Sequence, residues 1–296
     1  MQINHEKCAV LVTSCDKYED AWFPFFKLLQ IHWPDIPYAL YLNTENKVFE
    51  IDGFSIKCLH PDVSLISERN LSWSSRLKQA LLRIPNEYIL FFLEDFFVKA
   101  IRPDMIEKCL KWMDEDKNIG YIDFYHEKYE NDILVNEEFS ETKKDFDWAI
   151  NANCGLWRKS FLLNLLRDEN PWDFEMNATA RWRRTNFKVY THRPEFPFVI
   201  DYLFSTVNGD WSGIMKGKWI PLAVDLLRSN GIVVNFDNLG VEEPPCLVGR
   251  IREKNWFWHD CIKLIKTPRL VGHYFLCTWN VAKDKLKRFW RNHLNW

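Results

Sequence analysis

The chain has 296 residues, 47% of them hydrophobic, and its 41 acidic and 39 basic side chains nearly cancel, to a formal charge of -2. That length and apolar share suit one large domain or two small ones with a full core. The charge balance argues against nucleic acid as a partner. The 8 cysteines are scattered with no Cys-x-x-Cys pair, which argues against a zinc ribbon or a disulfide framework and fits a reducing compartment. The 15 Trp and 22 Phe suit carbohydrate stacking and membrane interfaces as well as ordinary cores. The start, Met1 to Lys7, carries no signal peptide pattern, and no apolar stretch is long enough to span a bilayer. A cytoplasmic protein is the expectation.

Cys8 to Thr13 reads as a first buried strand running into the polar turn Ser14-Cys15-Asp16-Lys17-Tyr18. Ala21 to Trp33 has helical spacing, with Pro24 near its first turn. Tyr38 to Leu42 is a second strand, ending at Asn43-Thr44-Glu45-Asn46, and Phe54 to Leu59 a third. Trp73 to Ile84 is a helix with Leu77, Ala80, Leu81 and Ile84 on one face and Ser72 as its cap. A strand from Tyr88 to Leu93 follows, then a helix from Pro103 to Met113 and a strand from Gly120 to Tyr125. Glu127 to Asp147 is polar, an exposed hairpin or loop. Pro171 to Arg184 is helical, and Val189-Tyr190 and Phe198 to Phe204 are further strands. Strands alternating with helices predict an α/β fold with a mostly parallel sheet.

The segment with most chemistry in it is Tyr88-Ile89-Leu90-Phe91-Phe92-Leu93-Glu94-Asp95-Phe96-Phe97. Carboxylates beside a buried strand are costly unless a cation or hydrogen bonds satisfy them. Ligands of open α/β sheets bind at the carboxyl ends of strands. Glu94-Asp95 is therefore a candidate site for a hard divalent cation, Mg²⁺ or Mn²⁺. A strand end whose acids face water or cap the next helix is the plainer alternative.

Thr13, Ser14 and Asp16 at the first strand end could hydrogen-bond a base or ribose, with no glycine fingerprint to suggest a dinucleotide or P-loop; Asp16 could equally cap the next helix. Arg76, near the start of its helix, could reach a diphosphate, while Lys78 fits a solvated face. Pro171-Trp172-Asp173-Phe174-Glu175 sets two acids beside an indole. A carboxylate there could act as general base on a sugar hydroxyl, or simply favour the helix dipole. The histidines show no metal-ligand spacing, and no Ser/His/Asp or Cys/His arrangement stands out. From His273 to Trp296 an apolar face of Phe275, Trp279, Leu286, Phe289 and Trp290 opposes Lys283, Lys285, Lys287, Arg288 and Arg291. That suits an interfacial helix on anionic lipid, or a terminal helix packed on protein.

Five pieces in order resemble the nucleotide-sugar glycosyltransferases of GT-A fold, and more narrowly the small bacterial transferases of exopolysaccharide and lipopolysaccharide clusters. They are Val12-Thr13-Ser14-Cys15-Asp16, Trp73-Ser74-Ser75-Arg76-Leu77, Phe92-Leu93-Glu94-Asp95-Phe96-Phe97, Cys154-Gly155-Leu156-Trp157-Arg158 and Pro171-Trp172-Asp173-Phe174-Glu175. The resemblance implies a GT-A-like domain over 1–243; after about Pro244 the composition turns basic and aromatic, and a C-terminal helical extension is expected over 244–296. It implies donor binding by Thr13, Ser14, Asp16, Asn43, Arg76, Glu94 and Lys218, with a UDP-sugar favoured. Asp95, with Glu94, would hold Mn²⁺ or Mg²⁺ in place of the family's Asp-x-Asp motif. Phe96 stands where that motif has its second Asp, which leaves metal-independent transfer open. Asn153, Gly155, Trp157 and Trp172 would shape the sugar and acceptor pocket, and Glu175, or else Asp173, would be the base.

The implied reaction is inverting transfer from a nucleoside diphosphate sugar to a glycan or lipid-linked acceptor at the inner membrane face, with residues 273–296 touching the membrane. Two rivals stand beside it. A sugar nucleotidyltransferase would need a Gly-rich basic loop after the first strand, and none is present. A non-catalytic carbohydrate-binding or assembly protein on the same fold would explain the missing second Asp.

Overall fold

Alternate residues of the first strand, β1 (Cys8–Thr13), enter two different cores, and every one of its six side chains is buried. A strand buried on both faces reads as a continuous apolar run, as this one does. The computed structural model describes residues 5–62, 71–125, 133–146, 148–203, 212–215 and 217–242. The expected C-terminal extension and its membrane-facing helix lie outside the described residues.

After β1 come α1 (Trp22–His32), β2 (Ala39–Asn43), β3 (Ile56–Leu59), α2 (Trp73–Arg83), β4 (Tyr88–Leu93), β5 (Val98–Ile101), α3 (Pro103–Glu115) and β6 (Ile119–Asp123). Next are β7 (Ile133–Leu134), β8 (Phe139–Glu141), β9 (Gly155–Arg158), α4 (Lys159–Leu165), α5 (Pro171–Trp182), β10 (Lys188–His192), β11 (Ile200–Tyr202), β12 (Ile214–Met215), β13 (Lys218–Trp219) and α6 (Pro221–Ser229). Helix starts follow local chemistry. Ser72 accepts the Ser75 N–H and Asn170 accepts the Asp173 N–H as N-caps. Pro103, Pro171 and Pro221 open α3, α5 and α6, where a missing N–H costs nothing.

The main sheet has nine strands in the order β3-β2-β1-β4-β9-β6-β10-β8-β7. All strands except β8 and β9 run in one direction. The α/β expectation and its mostly parallel sheet are what the structure shows. Helices α1, α3 and α6 cover one face, packing Phe25, Leu28, Ile106, Cys109 and Val224 with Val10, Val12, Leu90 and Phe92. Helices α2, α4 and α5 cover the other, packing Leu77, Leu81, Phe161, Phe174 and Trp182 with Leu11, Ile89, Phe91 and Trp157. Two features differ from the reading of the sequence. The strand around Ile200 leaves the main sheet and pairs antiparallel with β5. The segment at Gly155 is an antiparallel strand inserted between β4 and β6; its hydrophobic pattern is that of any buried strand and carries no direction. Among the described residues, no helix is long and apolar enough to cross a membrane.

From β1 the chain builds β2 and β3 on one side, then crosses back to place β4 on the other. That reversal is a topological switch point at the carboxyl ends of β1 and β4, the position where open α/β sheets bind ligands.

Candidate active site

Thr13 aligns with Asn43 on one side and Leu93 on the other, so the residues that follow each strand emerge together at one sheet edge. The Asn43 side-chain N–H donates to Thr13 Oγ1 at 3.2 Å, and Trp22 Nε1 donates to Ser14 Oγ at 2.6 Å. Both hydroxyls are buried in this inner network. Asp16 does not cap the following helical turn. Its carboxylate accepts the backbone N–H groups of Glu45 (3.0 Å), Asn46 (3.1 Å) and Lys47 (3.3 Å), bracing the loop after β2. Glu45 returns the favour by accepting the Asp16 N–H and pairing with Arg76. Arg76 Nη1 also donates to the Ser14 carbonyl at 3.2 Å. Arg76, expected to reach a diphosphate, comes from α2 to this corner engaged by an acid. Its Nε is buried with no hydrogen-bond partner among the described residues.

Glu94 and Asp95 leave β4 beside that corner. Glu94 is 8% exposed. Burial, then the neighbouring Asp95 charge, push its carboxyl well above the usual range, with Arg76 and the Ser14 hydroxyl opposing. Burial likewise raises Asp95 to about 6 against a hydrogen bond from Ser212. The backbone closes over the pair: Gly213 N–H donates to the Asp95 carbonyl at 2.9 Å. A side chain at Gly213 would collide with the Phe97 ring. Phe96 turns into the core and stacks on Tyr202 with ring centroids 4.7 Å apart, so the position of a second Asp is an apolar one here. Lys218 is exposed on β13, in the hairpin that follows Ser212 and Gly213. Among the described residues, no group of three His, Cys, Asp or Glu side chains is placed to hold a metal.

The third part of the edge is the turn before β9. Gly155 pairs with Phe91 of β4 and with Asp123 of β6, so Asn151 to Asn153 lie between the ends of those strands. The Asn151 amide donates to Asp123 Oδ2 at 2.7 Å and its oxygen accepts from Tyr121 OH at 2.8 Å. The next N–H, that of Ala152, donates to Glu175 Oε1 at 2.8 Å. Glu175 sits on the first half of α5, and burial raises its carboxyl while the Ala152 N–H opposes. The Trp73 to Leu77 piece is tied to the residues that lead into Pro171 to Glu175: Ser74 of α2 holds the Glu169 backbone through both N–H and hydroxyl, and Ser75 Oγ donates to Asp168 at 3.1 Å.

Other expected residues are placed differently. Trp157 is 1% exposed and stacks on Tyr121 at 3.8 Å. It is a core residue. Gly155 has no room for a side chain, since a Cβ would lie 2.6 Å from Tyr121 and 2.7 Å from the Ile122 carbonyl. Asp173 is exposed and exchanges hydrogen bonds with Asn170 at the helix cap. Trp172 is 72% exposed, on the same helix face as Glu175 at i,i+3. Asn153 donates its N–H to Asn151 Oδ1 at 3.1 Å. Glu45, Asp123, Asn151 and Ser212 were not singled out by the sequence. Asp123 had a signal, an acid closing an apolar strand, like that of Glu94.

No family model and no curated protein matches this chain. Solved structures resemble it weakly. S. aureus TarS 1-349 in complex with UDP is 13% identical at a TM-score of 0.43, over 62% of this chain and 60% of that one. The same protein in complex with UDP-GlcNAc is 12% identical at 0.41, over 64% and 59%. A cytidylyltransferase from Leptospira borgpetersenii is 11% identical at 0.39, over 64% and 76%. The chain matches about 60% of the length of TarS 1-349. At these values the likeness adds nothing to the geometry, and the functional case rests on the residues.

Proposed function

We propose that this protein is a glycosyltransferase that moves a sugar from a nucleoside diphosphate sugar to a glycan or lipid-linked hydroxyl. The observation that carries it is the sheet-order reversal with an adjacent carboxylate pair, buried Glu94 and half-buried Asp95, at its carboxyl edge, together with a half-buried carboxylate on α5, Glu175, braced by a backbone N–H. The two parts divide the labour of the reaction. One end manages a departing diphosphate, and the other removes a proton from the attacking hydroxyl.

At the first end, Glu94, Asp95 and the Ser212 hydroxyl offer hard oxygen donors, and among the described residues neither acid forms a salt bridge. An adjacent like-charged pair of this kind fits a hard divalent cation with its remaining positions open to water and phosphate. Bound there, Mg²⁺ or Mn²⁺ would offset charge on the diphosphate. Arg76, paired with Glu45, brings positive charge to the same edge, exposed Lys218 on β13 is a second cation for the diphosphate, and the loop braced by Asp16 and Glu45 frames the base and ribose. At the second end, Glu175 Oε1 is held by Ala152, leaving Oε2 to accept the acceptor proton. Raised by burial, this carboxyl is a better base than an exposed one. Trp172, next along the same helix face, offers its indole to an acceptor ring. Attack from a base-activated hydroxyl in one displacement inverts the anomeric centre.

The test is nucleotide release from UDP-, GDP-, dTDP- and CMP-sugars with Mn²⁺, by the wild-type chain and by Glu175→Gln. One donor class should be turned over, and the variant should lose about 10²–10⁴-fold in kcat with donor binding kept. Near-normal turnover by Glu175→Gln would remove the base assignment.

A further inference from the structure

We propose that Asp123 and Asn151 are positioning residues for Glu175: they lock the 151–153 turn so that the Ala152 N–H grips one carboxylate oxygen and leaves the other to the acceptor. The inference rests on Glu175 being the base.

The turn lies between strand ends and carries no regular structure; Ile150 and Ala152 are buried in the core, and its polar groups are fixed by side chains. Its amide orientation is determined. Asn151 Oδ1 accepts from Tyr121 OH at 2.8 Å and from the Asn153 N–H at 3.1 Å. A backbone N–H can only donate, so the oxygen must face it and the amide nitrogen must face Asp123. Asp123, 2% exposed, accepts that N–H on Oδ2 at 2.7 Å and the Tyr125 N–H on Oδ1 at 2.9 Å. One residue further on, the Ala152 N–H points at Glu175. Two residues back, the Ile150 N–H donates to Thr179 Oγ1 at 3.0 Å, one turn along α5 from Glu175. The turn therefore bridges the end of β6 to the face of α5 that carries the carboxylate. Misplacing a catalytic group by about 1 Å can cost about 10²-fold.

Charged groups on the elements packed around Glu175 have other engagements. Arg76 of α2 pairs with Glu45, Arg83 donates to the His60 carbonyl, and Lys78 is exposed. Lys159 of α4 donates to the Ile84 carbonyl. On α5, Asp173 bonds Asn170, and Arg181 pairs with Glu169.

The network allows a polarity swap. With Asp123→Asn and Asn151→Asp together, the new amide at 123 donates to the new carboxylate at 151. The Tyr121, Asn153 and Tyr125 donors all keep acceptors. Either single change breaks the pattern: Asp123→Asn sets two donors against each other, and Asn151→Asp sets two carboxylates together. The readout is the Ala152 amide resonance of the full-length protein, followed through a pH titration. In wild type it should move with Glu175, and the movement should vanish in Glu175→Gln. In each single variant the response should be lost or its midpoint raised, because an N–H that favours the carboxylate has been withdrawn. The swap should restore the wild-type curve. A lowered midpoint in Asp123→Asn would mean that only the Asp123 charge is felt, and the inference would fall. A single-variant curve superimposable on wild type, or a swap no better than the singles, would overturn it equally. Turnover by Glu175→Gln tests the base separately, so the two failures are distinguishable.

Discussion

At the scale of single residues, the site is a set of carboxylates whose environments set them apart. Asp95 is held at about 6 by burial, above the roughly 4 of an unfolded chain. The folded state keeps a proton that the unfolded chain has released, so stability falls as pH rises between those values. With no cation present, Asp95→Asn should match wild type near pH 4 and exceed it at pH 8 by on the order of 2 kcal/mol in urea unfolding. Asp114 shows the opposite sign. Burial would raise it, but Lys7, Tyr88 and Lys117 hold it at about 2. Its stabilisation is present above pH ~4 and lost towards pH 2. Asp114→Asn should flatten that acid limb by about 1 kcal/mol, discounted because the group is partly exposed. These acids differ in how far the sequence exposes them. Glu94-Asp95 interrupts an apolar run and is conspicuous. Asp123 closes its strand with a single acid, and only the fold shows that Asn151 reaches it across β9.

Between elements, the tie from α2 to the residues leading into α5 determines whether the Arg76 corner and Glu175 are held in one block. Ser74 is fully buried and bonds both polar groups of the Glu169 backbone. Ser74→Ala leaves the Glu169 N–H short of an acceptor and should cost about 1–3 kcal/mol by denaturant unfolding. Gly155→Ala tests the β4–β9–β6 layer, because a methyl there meets the Tyr121 ring and the Ile122 carbonyl. A loss of about 1–3 kcal/mol is expected. An unchanged midpoint in either variant would contradict the packing described. Most helices and the strands β1 to β4 were legible from periodicity and caps, since Ser72, Pro103 and Pro171 punctuate the chain where the helices start. Trp157, expected to line a pocket, lies in the core instead, for a physical reason. Stacking on Tyr121 is a contact between strands β9 and β6, and local sequence carries no trace of which strands are neighbours.

At the scale of the whole molecule, the alternation of strands and helices announced an α/β sheet, but not the reversal at β1 that brings Ser14, Glu45, Arg76 and Glu94 to one edge. Strand order follows from crossovers and long-range packing, which hydrophobic pattern does not encode. The reversal is what turns scattered motifs into a candidate site, so the central claim is that this edge binds a nucleoside diphosphate. The most direct measurement is a thermal-shift titration of the full-length chain with UDP, GDP, CMP and dTDP, with and without Mn²⁺, beside Asp95→Ala. A ligand of the native state raises stability with log concentration, by about 2.7 kcal/mol at 100 times Kd. One nucleotide should stabilise the wild-type protein, more strongly with Mn²⁺, and the Mn²⁺ increment should disappear in Asp95→Ala. No shift with any of the four nucleotides, with or without Mn²⁺, would contradict the claim.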